Sequence, residues 1–181
     1  MTKKEARKKY KEIRNLLSED LIELASHSIC NQLMELDLTD KTVHVFLPIK
    51  RLKELNLWEF IHHCQQNNVT VCTSVSDFDN ISMKTMLLTS NTILTENEWG
   101  IPEPMNGKEI STGNIDIVVV PLIYADGNGN RVGYGKGFYD RFLADCKADV
   151  EKIGVNFFTY KEDITDATDK DIRIDQLVFA K

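Results

Sequence analysis

Apolar positions recur along this chain in two rhythms. Ile22, Ala25, Ile29, Leu33 and Leu36 fall at three- and four-residue intervals, the stripe of an amphipathic helix. Ser18-Glu-Asp-Leu21 supplies that helix with a capping hydroxyl and an acidic first turn. Residues 3–17 predict a helix before it. Short strand-like runs follow at Thr42–Leu47, Val69–Val75 and Met83–Leu88, and between the first two Asn56 can cap a helix carrying Leu57, Phe60 and Ile61. Ile115–Val120 is almost all β-branched and alternates little, which predicts a strand buried on both faces. Phe138, Phe142, Asp145-Cys146 and Asp149 predict a helix over 137–148, and Lys152–Phe157 and Gln176–Phe179 complete the strands. Strands alternating with helices predict an α/β fold: a single three-layer domain over 1–181, with a mostly parallel central sheet flanked by helices.

The bulk numbers exclude several classes. A chain of 181 residues, 42% hydrophobic and 28% charged, has the size and balance of one globular domain. No uncharged apolar run approaches the roughly 18 residues of a membrane span. The charged start, from Lys3 onward, is not a secretory signal. Cys30, Cys64, Cys72 and Cys146 lie far apart without a CxxC pair, which predicts buried reduced thiols, a cytoplasmic location and no zinc site. His62 and His63 are adjacent on a helix and read as a surface pair. The net charge of −6 is unevenly spread: residues 1–14 carry seven Lys and Arg against two Glu, leaving a balance of −11 elsewhere. A basic head of this kind suits either a nucleic-acid arm or a cationic cap over a polyphosphate.

The densest chemistry lies at Arg131-Val-Gly-Tyr-Gly-Lys-Gly-Phe-Tyr-Asp140, reached from the central strand through the turn Asp126-Gly-Asn-Gly-Asn130. Gly133, Gly135 and Gly137 remove every other Cβ, so the backbone can turn sharply and lie against a ligand. Arg131, Lys136 and Asp140 add a guanidinium, an ammonium and a carboxylate, groups suited to nucleotide phosphates and their metal ion. The spacing is neither a Walker A loop, because Gly137 follows Lys136, nor a dinucleotide fingerprint, because the glycines alternate. A purely structural strand-to-helix turn is the competing reading. The position at the carboxyl end of a central strand favours a ligand site.

This segment, extended through Arg141-Phe-Leu143, resembles the signature of 5-formyltetrahydrofolate cyclo-ligases, also called 5,10-methenyltetrahydrofolate synthetases. The basic first helix, Trp99-Gly-Ile-Pro-Glu-Pro104 and the acidic C-terminal stretch are similar too. The resemblance implies an α/β fold related to phosphosugar isomerases and ATP-dependent conversion of 5-formyltetrahydrofolate to 5,10-methenyltetrahydrofolate, ADP and phosphate. It implies that Lys3 and Arg7, four residues apart on one helix face, meet ATP. Lys4 and Lys8 repeat that spacing one residue on, and a solvated basic face is the alternative. Arg131, Val132, Gly133, Tyr134, Gly135, Lys136, Gly137, Phe138 and Tyr139 match the family's nucleotide loop, with Tyr134 to Phe138 also facing the folate. Glu54, beyond Phe46-Leu-Pro-Ile49, matches a glutamate that contacts folate; the alternative is a surface glutamate at a helix start.

Within the implied reaction, Lys136 and Arg131 are the expected catalytic residues, neutralising the transferred phosphoryl group. Asp140 and Asp171 are the expected Mg2+ ligands; Asp169 and Asp175 compete with Asp171, and a helix-capping role competes for Asp140. Trp99 reads equally as a pocket wall or a core plug, and Met83 and Met86 read as packing. Nothing is assigned to Val155-Asn-Phe-Phe158. The expected partners are 5-formyltetrahydrofolate and ATP, with no nucleic acid, no membrane and a monomeric protein. A nucleic-acid-binding module and a phosphosugar or coenzyme A enzyme are the rival classes.

Overall fold

The computed structural model describes residues 1–181. Helices α1 (Lys3–Asn15) and α2 (Glu19–Met34) begin where hydroxyl side chains satisfy free amides. Thr2 and Glu5 form a capping box on α1, and Ser18 accepts from the Leu21 amide at 3.3 Å, as its position predicts. The sheet begins with β1 (Thr42–His44), followed by α3 (Trp58–Gln66), β2 (Thr70–Asp77) and β3 (Ser82–Leu87). A small ladder joins β4 (Leu94–Glu96) to β5 (Pro102–Pro104). The remainder is β6 (Ile117–Pro121), β7 (Tyr124–Ala125), β8 (Arg131–Val132), α4 (Phe138–Asp145), β9 (Glu151–Asn156) and β10 (Gln176–Phe179).

Six strands form the central sheet in the order β10-β9-β6-β1-β2-β3. Every pairing is parallel except that of β3, which closes one edge antiparallel to β2. Residues 117–120 of β6 are buried on both faces, as their composition predicts. Val119 packs on one side with Ile29, Leu33, Phe60 and Ile61 of α2 and α3. Val118 and Val120 pack on the other with Phe142 and Leu143 of α4. A third cluster anchors α1, where Ala6 and Tyr10 meet Tyr124 and Val132; the Tyr10 and Tyr124 rings stack at 4.4 Å.

Local departures from the expected elements have identifiable causes. Regular pairing in β1 stops at His44 rather than Leu47, where the chain turns toward Pro48 and a short 3₁₀ turn at Lys50–Leu52. Helix α3 starts after Leu57, whose burial fixes the approach, and Asn56 Oδ1 accepts from the Trp58 amide at 3.0 Å. The turn at 126–130 is the tip of a β7–β8 hairpin, so the glycine loop follows that hairpin rather than β6 directly. Helix α4 ends at Asp145, short of the expected 148. No helix is long and apolar enough to cross a membrane, and all four cysteines are free thiols.

Candidate active site

The glycine loop leaves β8 at Gly133 and enters α4 at Phe138. Gly135 and Gly137 have φ of +90° and +77°, a left-handed backbone that only glycine adopts without strain. Gly135 has a second constraint: a Cβ there would lie 3.1 Å from Arg7 Cζ. Arg7 lies against the loop because its Nε donates to the Gly133 carbonyl at 2.8 Å. Ala6 and Tyr10 point into the core, so Lys3 and Arg7 share the inward side of α1 while Lys4 and Lys8 stay exposed.

Two further cations are held in different ways. Arg131 is 9% exposed and donates to Asp140 Oδ1 at 2.6 Å and to the Ile172 carbonyl at 2.9 Å. Burial pulls its pKa down, while the charges of Asp140, Tyr139 and Asp171 oppose that pull. Lys136 stands exposed at the loop tip, and no side chain of the protein engages its ammonium.

Lys3 Nζ meets Asp171 Oδ1 at 2.5 Å, and Asp171 Oδ2 accepts from the Thr168 amide and hydroxyl at 2.6 and 3.0 Å. Burial pushes the Asp171 carboxyl up, but these donors outweigh it and hold it below the usual carboxylate range. Both aspartates expected to bind metal act on the charge of Arg131, Asp140 through a direct ion pair and Asp171 at longer range. Asp140 Oδ1 is taken by Arg131 and the Ile172 amide, whereas no protein donor reaches Asp140 Oδ2; both Asp171 oxygens are engaged. No three His, Cys, Asp or Glu side chains gather in a metal-binding cluster. The arrangement fits Mg2+, which is commonly held by one or two carboxylates with phosphates and waters, and does not suit a dedicated protein cage.

Glu54 is not a surface residue: it is 7% exposed. Its Oε2 accepts from the Ile49 amide at 2.8 Å and its Oε1 from the Tyr134 hydroxyl at 2.6 Å. Burial raises its pKa, against the hydrogen bonds from Tyr134 and Ile49 and the charges of Arg14 and Arg51. The preceding turn is pinned by Lys53, whose ammonium donates to the carbonyls of Asn15, the last residue of α1, and Leu17 just beyond it, at 2.8 and 2.6 Å. Glu54 borders an open groove of about 930 Å3 between α2 and the 48–58 segment, with Pro48, Lys50, Trp58 and Glu96 also on its walls.

Where the loop enters α4, Phe78 bridges Phe138 and Trp99 with ring centroids 5.2 and 5.3 Å apart. Trp99 is 48% exposed, so it is a surface aromatic and not a core plug. Tyr139 turns inward toward His44 and Phe142. Phe78 carried no signal in the sequence, being one aromatic in a polar turn. Arg14 did carry one, since it continues the inward stripe of Lys3, Arg7 and Tyr10, and it donates to the Tyr134 hydroxyl at 2.8 Å.

Residues 1–165 match the model of the 5-formyltetrahydrofolate cyclo-ligase family. The chain belongs to that family. A 5-formyltetrahydrofolate cyclo-ligase of Mus musculus is 30% identical over 56% of this chain and 56% of its own, so the match spans little more than half of that relative. The same-named protein of Mycoplasma genitalium is 29% identical over 72% of this chain and 68% of its own. Among solved structures, Aquifex aeolicus 5,10-methenyltetrahydrofolate synthetase superposes with a TM-score of 0.82 at 28% identity, covering 99% of this chain and 90% of that one. The Mycoplasma pneumoniae synthetase, at 20% identity, shares the fold with a TM-score of 0.76 over 98% of both chains.

Proposed function

We propose that this protein is an ATP- and Mg2+-dependent ligase that converts 5-formyltetrahydrofolate to 5,10-methenyltetrahydrofolate, ADP and phosphate. The observation that carries this reading is one glycine loop that receives Arg7 on its Gly133 carbonyl and donates to Glu54 from its Tyr134 hydroxyl, with Arg131 and Lys3 paired to Asp140 and Asp171. Nucleotide-binding and folate-selecting groups thereby form one connected unit in a chain of this family.

In this reading the formyl oxygen attacks the γ-phosphorus of ATP and ADP departs, leaving a phosphorylated imidate. N10 of the folate then attacks the activated carbon, its proton passes to water or the departing phosphate, and phosphate leaves as the ring closes. Phosphoryl transfer depends mostly on positioning and charge neutralisation. Lys136, free at the loop tip, and Arg131, held inside it, neutralise the moving charge, while amides of residues 132–137 hold phosphate oxygens. Lys3 and Arg7 bind the outer phosphates, Lys3 exchanging its carboxylate partner for the nucleotide. Asp140 and Asp171 would hold Mg2+, which neutralises phosphate charge when bound. Glu54 accepts hydrogen bonds from the donor edge of the pterin, and Tyr134 and Phe138 supply faces and edges for the folate.

Arg7 and Arg14 face inward, which supports a nucleotide rather than a nucleic-acid role for the basic helix. Burial pushes the thiols of Cys30, Cys64 and Cys72 up to about 11, 12 and 12, which supports inert thiols, and the reading includes a cytoplasmic location. Residues 1–181 act as one catalytic domain and as a monomer. The test is absorbance at the methenyl-folate band after mixing protein, 5-formyltetrahydrofolate, ATP and Mg2+. A rise that requires all of them supports the reading, and no rise from folded protein and fresh folate overturns it.

A further inference from the structure

Arg14 is 5% exposed, yet no carboxylate pairs with it. A buried guanidinium without a counterion is costly, and an apolar side chain of similar length would fill the same space at less expense. Its hydrogen-bond partner is the Tyr134 hydroxyl at 2.8 Å, and the nearest anion along that path is Glu54, 2.6 Å beyond the same hydroxyl.

The chain of bonds has a fixed direction. A guanidinium only donates, so the Tyr134 oxygen is the acceptor from Arg14. The single phenolic hydrogen is then left for Glu54 Oε1. The Ile49 amide also only donates, and it points at Oε2. Both carboxylate oxygens are thus approached by donors, and a proton placed on either one would face a donor. Without Arg14 the phenol could rotate and accept from a protonated Glu54. The other charged or titratable groups acting on this carboxylate are Arg51 in the adjoining turn and Tyr139 on α4. Lys53, although next in sequence, spends its ammonium on the end of α1.

We propose that Arg14 is a positioning residue which, acting through Tyr134, keeps Glu54 an acceptor-only carboxylate aimed at the donor edge of the folate ring. The inference rests on the folate role given to Glu54 above. It adds that folate selectivity is set from α1, the same helix that carries Lys3 and Arg7.

The experiment follows the Glu54 carboxyl by carbon-13 NMR across pH in the ligand-free protein, for wild type, Arg14→Met and Arg14→Lys. Calorimetry then gives Kd for 5-formyltetrahydrofolate and for ATP at neutral pH. In folded Arg14→Met the Glu54 midpoint rises by about one pH unit. Folate Kd rises about tenfold, ATP Kd stays within about twofold, and Arg14→Lys recovers most of the loss. An unchanged midpoint, or a moved midpoint with unchanged folate Kd, overturns the proposal. If Arg14→Met does not fold, the wild type decides: the Arg14 guanidinium resonances must shift with the Glu54 midpoint, and their indifference overturns it. Absence of folate binding by wild type would sink the proposed function instead, leaving the NMR comparison to judge Arg14 by itself.

Discussion

Lys3 and Asp171 lie 168 positions apart in the chain and meet at 2.5 Å, closing the acidic C-terminal segment over the first turn of α1. The segment is held elsewhere too, by the Lys3 amide on Asp166 Oδ1 at 2.7 Å and the Met1 ammonium on the Asp163 carbonyl at 2.9 Å. The folded Asp171 carboxyl has a depressed pKa, so its contribution to stability is present above the ordinary value of 3.8 and is lost as pH falls below it. Asp171→Asn therefore lowers Tm at pH 7 by about 2–4 °C, from an ion pair of about 1 kcal/mol. Thermal melts of both proteins should converge as pH is lowered well below 3.8; a constant gap would assign the effect to packing.

Lys136 contributes nothing visible to the fold. Lys136→Ala should leave Tm within about 1 °C of wild type, since surface substitutions of this kind stay within about 0.5 kcal/mol. Turnover should drop by about a hundredfold or more, the usual cost of one donor aimed at developing charge. Steady-state kinetics beside a thermal melt checks both halves, and near-normal turnover would remove Lys136 from the chemistry.

Tyr134→Phe keeps the ring and removes the bond to Glu54. One carboxylate oxygen then loses its donor in a buried setting, a cost of about 1–3 kcal/mol. The denaturant midpoint should fall without a change in slope. A changed slope would mean that the loop itself had rearranged.

Gly135→Ala tests the contact between loop and helix. Its φ of +90° strains any side chain, and the added methyl meets the Arg7 guanidinium at 3.1 Å. Displacing Arg7 should weaken ATP binding about tenfold and leave folate affinity nearly untouched. Calorimetry with each ligand separates the two, and equal losses would show that the loop had collapsed.

His44 gives a pH dependence remote from the loop tip. It is fully buried beneath Phe142 with Nε2 on Ser74 at 2.7 Å, and burial lowers its pKa from 6.5 to about 3. The unfolded chain therefore takes up a proton below pH 6.5 that the folded protein refuses until near pH 3, so stability falls as pH drops through that window. The contribution approaches about 1.4 kcal/mol per pH unit. His44→Gln should flatten the stability profile between pH 6 and about pH 4, read by chemical unfolding at several pH values.

The sheet was readable because β6 is a continuous apolar run and α2 a periodic one, and both signals are local. The two-stranded ladders were not, since Leu94–Glu96 and Pro102–Pro104 are too short and mixed to announce pairing. Among site residues, the glycine loop and its cations were visible as spacing. The burial of Glu54 was not, because it depends on Tyr134 approaching from 80 positions away. Arg14 was legible in principle as the next inward position after Tyr10, but seven cations in fourteen residues masked it. Phe78 and its stack on Trp99 and Phe138 arise only from tertiary placement.

Helix α1 has a consequence for how the protein is made. Its inward side docks on β7, β8 and the segment around Ile164, all encoded more than a hundred residues later. During synthesis the helix is therefore displayed early, with Tyr10 and its basic stripe uncovered, and it cannot dock fully until the chain has been made past Ile164. An unfinished chain lacks the surface that organises its own cations. The order of translation alone thus delays the docking that brings Arg7 against the glycine loop.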